Sequence, residues 1–265
     1  MRVLFTGANG ALGKKYMSMF PETVPFQIRY ADNSGIIKLS EIIKNVDVII
    51  HASANLNPKS VDDAILDNAI LPFDILDMAG KINPNTHIIL LSSMSTLGED
   101  GDPKRISDMS FYAASKYIME ELALKVSTNP ITIVRFSTLF YGDRNRDGLS
   151  MVVYNAWRNK TVSVSDTRRD FLPLEVACTW LNKLCSNKTW YNRSINLASG
   201  RSINMTDVAD YLVGKYKITS SNAALPSYSN ICYKFDSTDA QSLEKISFDI
   251  YKLIDEYYVS LGKAN

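Results

Sequence analysis

Tyr112 and Lys116 stand four residues apart in the run Phe111-Tyr112-Ala113-Ala114-Ser115-Lys116. On a helix, positions i and i+4 share one face. An ammonium beside a phenol favours its ionised form, so this pair could act as a general acid or base near neutral pH. The spacing alone is common. With 14 tyrosines in 265 residues, about one such pair arises by chance, and a second copy, Tyr211 with Lys215, is present. Their settings differ. Tyr112 comes 19 residues after Ser93, and Ser92-Ser93 closes an apolar, strand-like run. Reacting groups in open α/β sheets gather at the carboxyl ends of strands, so Ser93 is the candidate to meet Tyr112 over a reacting oxygen. Tyr211 and Lys215 follow no strand end and read as a solvated helix face.

The second constellation is Thr6-Gly7-Ala8-Asn9-Gly10-Ala11-Leu12-Gly13, between a short apolar strand (Val3 to Phe5) and a helical stretch. Its GxxGxxG spacing is a relative of the dinucleotide fingerprint. One glycine makes the tight turn, another leaves bare backbone for a pyrophosphate, and the third lets the helix pack closely. The helix start offers unpaired N–H groups to phosphate oxygens. Gly7, Asn9, Gly10, Ala11, Leu12 and Gly13 are therefore expected to line a dinucleotide, and Lys116 could hold its nicotinamide ribose.

Stepping outward, strands and helices alternate through the first half. The pattern predicts a strand over Phe26–Tyr30, a short helix over Leu39–Lys44 and a strand over Val46–His51. A helix over Val61–Lys81, bent near Pro72, precedes a strand over His87–Leu91. A long helix over Phe111–Val126 and a strand over Ile131–Phe136 complete the series. Such alternation builds a parallel sheet with helices on both faces. Later, Arg168–Leu184 reads as a loop entering a helix, Ser194–Leu197 as a strand, Asn222–Ser229 as a loop, and Thr206–Tyr216 and Ser247–Leu261 as helices.

Composition narrows the classes. Charges nearly balance, 29 Lys+Arg against 28 Asp+Glu, which provides no field for nucleic acid or an anionic membrane. Apolar runs are strand-length, too short to span a bilayer. A strand beginning at Arg2 and three cysteines without a CxxC pair (Cys178, Cys185, Cys232) lead to the expectation of a cytoplasmic protein with free thiols. Only His51 and His87 are available, which excludes a His-rich metal site. His51 reads as a strand-end residue whose backbone lines the cofactor.

Together these residues resemble the extended short-chain dehydrogenase/reductases, in particular the NAD-dependent nucleotide-sugar epimerase/dehydratase group. Thr6–Gly13 is similar to its TGxxGxxG turn, and Asp47–Ala54 to its DxVIHxAA strand. Asn68 matches a helix Asn, Leu91–Ser93 with Gly98 the SSxxxxG strand end, and Tyr112–Lys116 with Glu120 the YxxSKxxxE helix. Arg169–Ala177 resembles RDFxxVxDVA, and Asn196–Gly200 the later NxGxG stretch. The likeness runs to about residue 200. It implies an α/β, Rossmann-type doubly wound sheet with a smaller C-terminal substrate lobe: residues 1–150 binding the dinucleotide, with return segments near 160–200, and residues 151–265 forming the interleaved lobe.

The resemblance also implies roles. Ser93, Tyr112 and Lys116 would be catalytic, with Ser93 orienting a sugar oxygen and Tyr112 moving its proton. NAD or NADP would lie along the glycine turn, Ala52, Ser53, Ala54, Asn68, Tyr112 and Lys116. Arg168 and Arg169 would meet the substrate's pyrophosphate. Only 38 residues separate Gly13 from His51, shorter than the family's usual interval, as though a strand and helix were lost. Arg29 or Asp32 would contact the adenosine, with Arg29 suited to a 2′-phosphate. Where dehydratases of the group carry an Asp-Glu pair, Met94 and Ser95 stand, which argues against 4,6-dehydration.

The reading is an NAD(P)-dependent oxidoreductase or epimerase of a nucleotide-activated sugar, working at a hydroxyl or keto group. The rivals are a reductase of a small ketone or aldehyde and a non-catalytic dinucleotide sensor. The aromatic segment Phe248–Tyr258 reads as packing, and could serve a homodimer contact.

Overall fold

The computed structural model describes residues 1–30, 32–98, 100–142, 148–220 and 237–263. The expected loop Asn222–Ser229 and the thiol Cys232 lie outside them. The chain divides into two compact units. The first comprises Met1–Leu97, Pro103–Phe136 and Ala177–Leu197; the second comprises Gly98–Asp102, Ser137–Val176 and Ala198–Asn265.

The first unit is built on a six-stranded sheet: β1 (Val3–Thr6), β2 (Val24–Phe26), β3 (Val48–His51), β4 (His87–Ser93), β5 (Ile131–Phe136) and β9 (Arg193–Leu197), in the order β2-β1-β3-β4-β5-β9. Every pairing is parallel. Successive strand residues face opposite sides, and β1 shows why both faces are covered. Leu4 enters a cluster with Leu39, Ile43, Ile75, Leu76 and Ala123, contributed by α2 (Asn33–Ile43), α4 (Leu71–Ile82) and α5 (Phe111–Val126). Phe5 instead meets Tyr16 of α1 (Ala11–Met19), ring centroids 5.0 Å apart. The Tyr16 hydroxyl donates to Asn182 at 3.1 Å and lies 3.7 Å from Cys185 Sγ, both on α7 (Leu174–Cys185). The doubly wound parallel sheet inferred from the alternation is thus the fold observed.

Local departures from the sequence reading have local causes. The second strand lies at Val24–Phe26, not Phe26–Tyr30, and is an edge strand, where Pro25 can lack an N–H without breaking a ladder. α2 begins at Asn33 because Asp32 caps it, accepting from Gly35 N at 2.9 Å. The long helix predicted over Val61–Lys81 is three segments: α3 (Val61–Ile65), a π-helical turn (Leu66–Ile70) and α4. Pro72, at the start of α4, has no N–H to return to the carbonyl four residues back. The widened turn before it is the form the bend takes. Between β1 and β3 lie only α1, β2 and α2, the economy that the short Gly13–His51 interval suggested.

In the second unit, Arg168–Pro173, read as a loop, is strand β8. It lies between β6 (Thr138–Phe140) and β10 (Ser202–Asn204) in a three-stranded sheet. A core of Leu149, Val153, Phe171, Val208, Leu212, Ile254 and Tyr257 joins α6 (Gly148–Asn159), α8 (Met205–Tyr216) and α10 (Ile250–Lys263). A two-stranded pair, β7 (Thr161–Val162) with β11 (Thr219–Ser220), and the short α9 (Thr238–Leu243) complete the described elements. α10 starts three residues later than the aromatic spacing predicted.

The second Tyr–Lys copy is not a loose solvated face. Tyr211 and Tyr216 of α8 donate to the two Asp255 oxygens of α10, each at 2.7 Å. Lys215 Nζ bonds both Tyr211 Oη, at 2.9 Å, and Asp255, and the Tyr216 ring stacks on Tyr258 at 3.6 Å. Burial pushes the Asp255 carboxyl up, but the hydrogen bonds from Lys215, Tyr211 and Tyr216 outweigh it and hold the group below its usual range. A depressed carboxylate stabilises the fold above its unfolded pKa of about 3.9 and loses that contribution as pH falls. Asp255→Asn is therefore expected to cost roughly 1 kcal/mol at pH 6.5. Its thermal melting deficit against wild type should shrink as the pH is lowered below about 4; a deficit unchanged with pH would remove the charge from this account.

Candidate active site at the carboxyl ends of β1, β3 and β4

The glycine turn leaves β1 at Thr6 and enters α1 with Gly10 as N-cap. Each glycine answers a different demand. Gly7 sits at φ +75°, and a Cβ there would stand 2.8 Å from the Ala52 carbonyl carbon and the Ser53 nitrogen. At Gly13 a Cβ would come within 2.7 Å of the Ala8 Cα and the Gly7 oxygen, so α1 closes onto the turn only without a side chain. Gly10 is different: its φ is −68°, and a Cβ would meet one atom, the Gly7 oxygen at 3.1 Å. The protein's own packing asks little of a glycine there. What its absence of side chain leaves is bare backbone before the uncapped N–H groups of Ala11, Leu12 and Gly13, the form of site that takes a phosphate. Gln27, unremarked in the sequence, braces the turn: in the amide orientation that satisfies both sides, its oxygen accepts from Ala8 N at 2.7 Å and from Asn9 N.

Beside the turn, β3 ends at His51, whose Nδ1 shares a 2.9 Å hydrogen bond with Thr6 Oγ1 across the two strands. Burial, aided by the Lys116 charge, pushes the His51 pKa down to about 3. The ring is therefore neutral and structural. Its Nε2 and the Ser53 hydroxyl are buried without a partner among the described residues, an apt arrangement for a strand end completed by a polar ligand. His87 is a core residue: Nε2 meets Thr132 Oγ1 at 2.8 Å, the ring packs on Tyr191, and burial lowers its pKa to about 4.

Asn68 lies on the π-helical turn, fully buried. Its oxygen accepts from Asn55 N at 2.7 Å, and its nitrogen donates to Asn55 O at 3.0 Å and to Ser115 Oγ at 3.1 Å. With both nitrogen protons committed, Asn68 holds Asn55, in the loop after β3, against α5. Ser115 passes the contact on, donating to the Tyr112 carbonyl at 2.8 Å.

α5 brings Tyr112, in its first turn and half-buried, onto the face that carries Lys116. Lys116 is 2% exposed. Its ammonium donates to the Leu91 carbonyl of β4 at 2.9 Å, two positions before Ser93. Burial pushes its pKa down to about 8 against the raising influence of Glu120. Ser93 ends β4 and accepts from Ser95 N at 3.1 Å, capping a short 3₁₀ turn over Met94–Thr96. Ser93 and Lys116 are thus tied to the same strand end.

The adenosine candidates stand outside regular strand. Arg29 is exposed, three residues past β2, and donates to Ala54 O at 3.4 Å. The Asp32 carboxylate, expected to contact adenine or ribose, caps α2 through one oxygen; the Gly35 and Ser34 hydrogen bonds hold its pKa below the usual value.

In the second unit, Arg168 and Arg169 are separated by strand alternation. Both are exposed, but only Arg169 lines a cavity of about 350 Å³, with Phe171, Leu149, Val152, Ser163, Ser165 and Met205; Arg168 faces the other side of the strand. Asp170, fully buried, gathers Ser199 N and Oγ (3.0 and 2.6 Å) and Arg201 N (3.1 Å). It thereby pins the turn around Gly200 (φ +74°).

The profile of the NAD dependent epimerase/dehydratase family matches residues 3–174. The chain belongs to that family. Among solved structures, it is similar over the full length of both chains to MoeE5 in complex with UDP-glucuronic acid and NAD (16% identity, TM-score 0.83). It is likewise similar to the UDP-glucuronic acid 4-epimerase from Bacillus cereus in complex with UDP-glucuronic acid and NAD (17%, 0.82, full coverage of both). A third is the dTDP-glucose 4,6-dehydratase from Bacillus anthracis in complex with NAD (15%, 0.79, covering 99% of this chain and 97% of that one). No curated protein sequence gives a match. Among the described residues no helix is long and apolar enough to cross a membrane, and no cluster of His, Cys, Asp and Glu could hold a metal.

Gly7→Ala tests the turn directly. A left-handed backbone costs an alanine roughly 1–2 kcal/mol, and the 2.8 Å contacts with Ala52 and Ser53 add to it. Urea denaturation should show at least that loss; an unchanged midpoint would mean that the turn relaxes freely.

Proposed function

We propose that this protein is an NAD-dependent epimerase or oxidoreductase that works at a hydroxyl or keto carbon of a nucleotide-activated sugar, with C4 the favoured position. The observation that carries the reading is the Lys116 ammonium, buried at the carboxyl end of β4 on the helix face of Tyr112. A buried cation one turn from a phenol favours its ionised form and can meet ribose hydroxyls.

The residues present fit the dinucleotide. Ala11, Leu12 and Gly13 would take its pyrophosphate, the Ala52–Ala54 edge with Ser53 its middle, Lys116 the nicotinamide ribose, and Arg29 the adenosine. NAD bound there supplies a hydride acceptor. Tyr112 would take the proton from the sugar hydroxyl as its carbon gives up hydride; in an epimerisation, Tyr112 would return that proton to the same oxygen when hydride comes back on the opposite face of the carbonyl carbon. Ser93 holds the same oxygen. Arg169 and the apolar and hydroxyl lining of its cavity are assigned to the nucleotide diphosphate, whose charge a guanidinium matches in two hydrogen bonds.

Elimination of water from a neighbouring carbon requires a further acid–base pair. At the two positions after Ser93 stand Met94, 4% exposed, and Ser95, neither able to supply it. This favours epimerisation or simple redox over 4,6-dehydration.

The test begins by denaturing freshly purified protein and identifying any dinucleotide released. Tightly held NAD is the expected result and supports an epimerase that recycles its own hydride. NADH or NADPH bound only reversibly would favour the reductase of a keto compound, and failure to carry or bind either would end the proposal. Incubation with UDP- and dTDP-hexoses, followed by proton NMR, then reads inversion at C4. Tyr112→Phe should keep NAD and lose turnover by about 10²–10⁴-fold.

A further inference from the structure

A second set of polar groups lies behind the Tyr112–Lys116 face. Glu120, one helical turn beyond Lys116, is 1% exposed. One of its oxygens accepts from the Ser92 hydroxyl of β4. The other accepts from Arg135 of β5, Nε at 2.7 Å and a terminal nitrogen at 2.5 Å. A carboxylate taken out of water is tolerated only when its lone pairs are filled and its charge is matched; a hydroxyl and two guanidinium contacts do both. Arg135 and Ser92 are register partners on the adjacent strands, so α5, β4 and β5 meet at this one group.

We propose that Glu120 is a positioning residue for Lys116: held by Ser92 and Arg135, it supplies the buried negative charge that keeps the Lys116 ammonium cationic and docked on Leu91 O. The charged and titratable groups around Lys116 agree with this assignment. From β3 comes His51, neutral; from β4, the Leu91 carbonyl and Ser92; from β5, Arg135, which pairs with Glu120 and tempers its field without cancelling it at Lys116; from α5 itself, Tyr112 and Glu120. Among the described residues, Glu120 is the carboxylate whose charge acts on Lys116. Without it, a lysine already pushed down to about 8 by burial would fall further and enter the neutral range as the amine. The inference rests on the proposed function for its catalytic meaning, but its test does not.

The experiment titrates lysine Cε–Hε NMR signals of the uniformly ¹³C-lysine-labelled protein from pH 6 to 11, with no cofactor or substrate added. The Lys116 signal is identified by its loss in Lys116→Met. Wild type should titrate near 8, Glu120→Gln about one unit or more lower, and Glu120→Asp, which restores the charge, close to wild type. NAD affinity followed against pH should lose its basic limb at the same shifted midpoint. An unmoved Lys116 midpoint in folded Glu120→Gln overturns the proposal and leaves the network a structural pin. If Glu120→Gln does not fold because Arg135 is left unpaired, the Glu120→Gln/Arg135→Met double variant takes its place and is judged by the same midpoint. A shifted Lys116 in a protein that binds no dinucleotide would sink the proposed function and leave this inference standing.

Discussion

Most of the first unit depends on one close approach, that of the Gly7 backbone to the Ala52–Ser53 peptide. It lies where the chain changes direction within the sheet: from β1 it moves outward to β2, then crosses back to the other side of β1 for β3. Ligands of open parallel sheets bind outside the carboxyl ends at such a switch point. With no Cβ at Gly7, the two strand ends close to contact. The Thr6–His51 hydrogen bond then seals the sheet behind the turn. The uncapped start of α1 and the polar end of β3 consequently border one backbone seam, and a side chain at Gly7 would separate them. The left-handed φ and the contact distance make the same demand on the residue type.

A second constraint is the burial of charge, and it explains why so many polar side chains in this unit serve one another. Lys116 is removed from water and donates to Leu91 O; Glu120, one helical turn on, is answered by Ser92 and Arg135. Asn68 and Ser115 hold the opposite side of α5 to the Asn55 loop. The helix bearing Tyr112 is thereby fixed on two sides by hydrogen bonds, whose directionality sets its rotation as well as its distance. Apolar packing alone would resist translation better than rotation, and rotation is what would carry the Tyr112–Lys116 face away from the strand end.

The parts legible in the sequence are those written in short-range pattern. Phe111–Val126 and Ile131–Phe136 occur at the bounds their periodicity predicted, and the glycine turn lies between the expected strand and helix. What pattern alone missed was set by tertiary partners. Asp32, expected at the adenosine, also caps α2, a second role that an acidic residue after the second strand fits equally. Asn68 matched a family position, and its hydrogen bonds to Asn55 and Ser115 are what no one-dimensional motif records. Glu120 was visible only as the last letter of a motif, since its partners Ser92 and Arg135 lie 28 and 15 residues away. The second unit was least legible because its strands are short and its elements return from distant segments: β8 pairs with β6 and β10, so Arg168–Pro173 has no hairpin signal to mark it as strand.

That last element also refines what two adjacent arginines can do. In a loop, Arg168 and Arg169 could converge on one anion. In a strand they diverge by half a turn, and Arg169 alone joins Phe171 on the cavity side, while Asp170 between them is buried under the Gly200 turn. The strand therefore delivers one cation to the cavity and uses the intervening carboxylate to fix the neighbouring loop. A diphosphate held in this unit would need its remaining charge met by other groups, by backbone N–H or by water. The cavity therefore presents one guanidinium together with the hydroxyls of Ser163 and Ser165, not a paired-arginine grip.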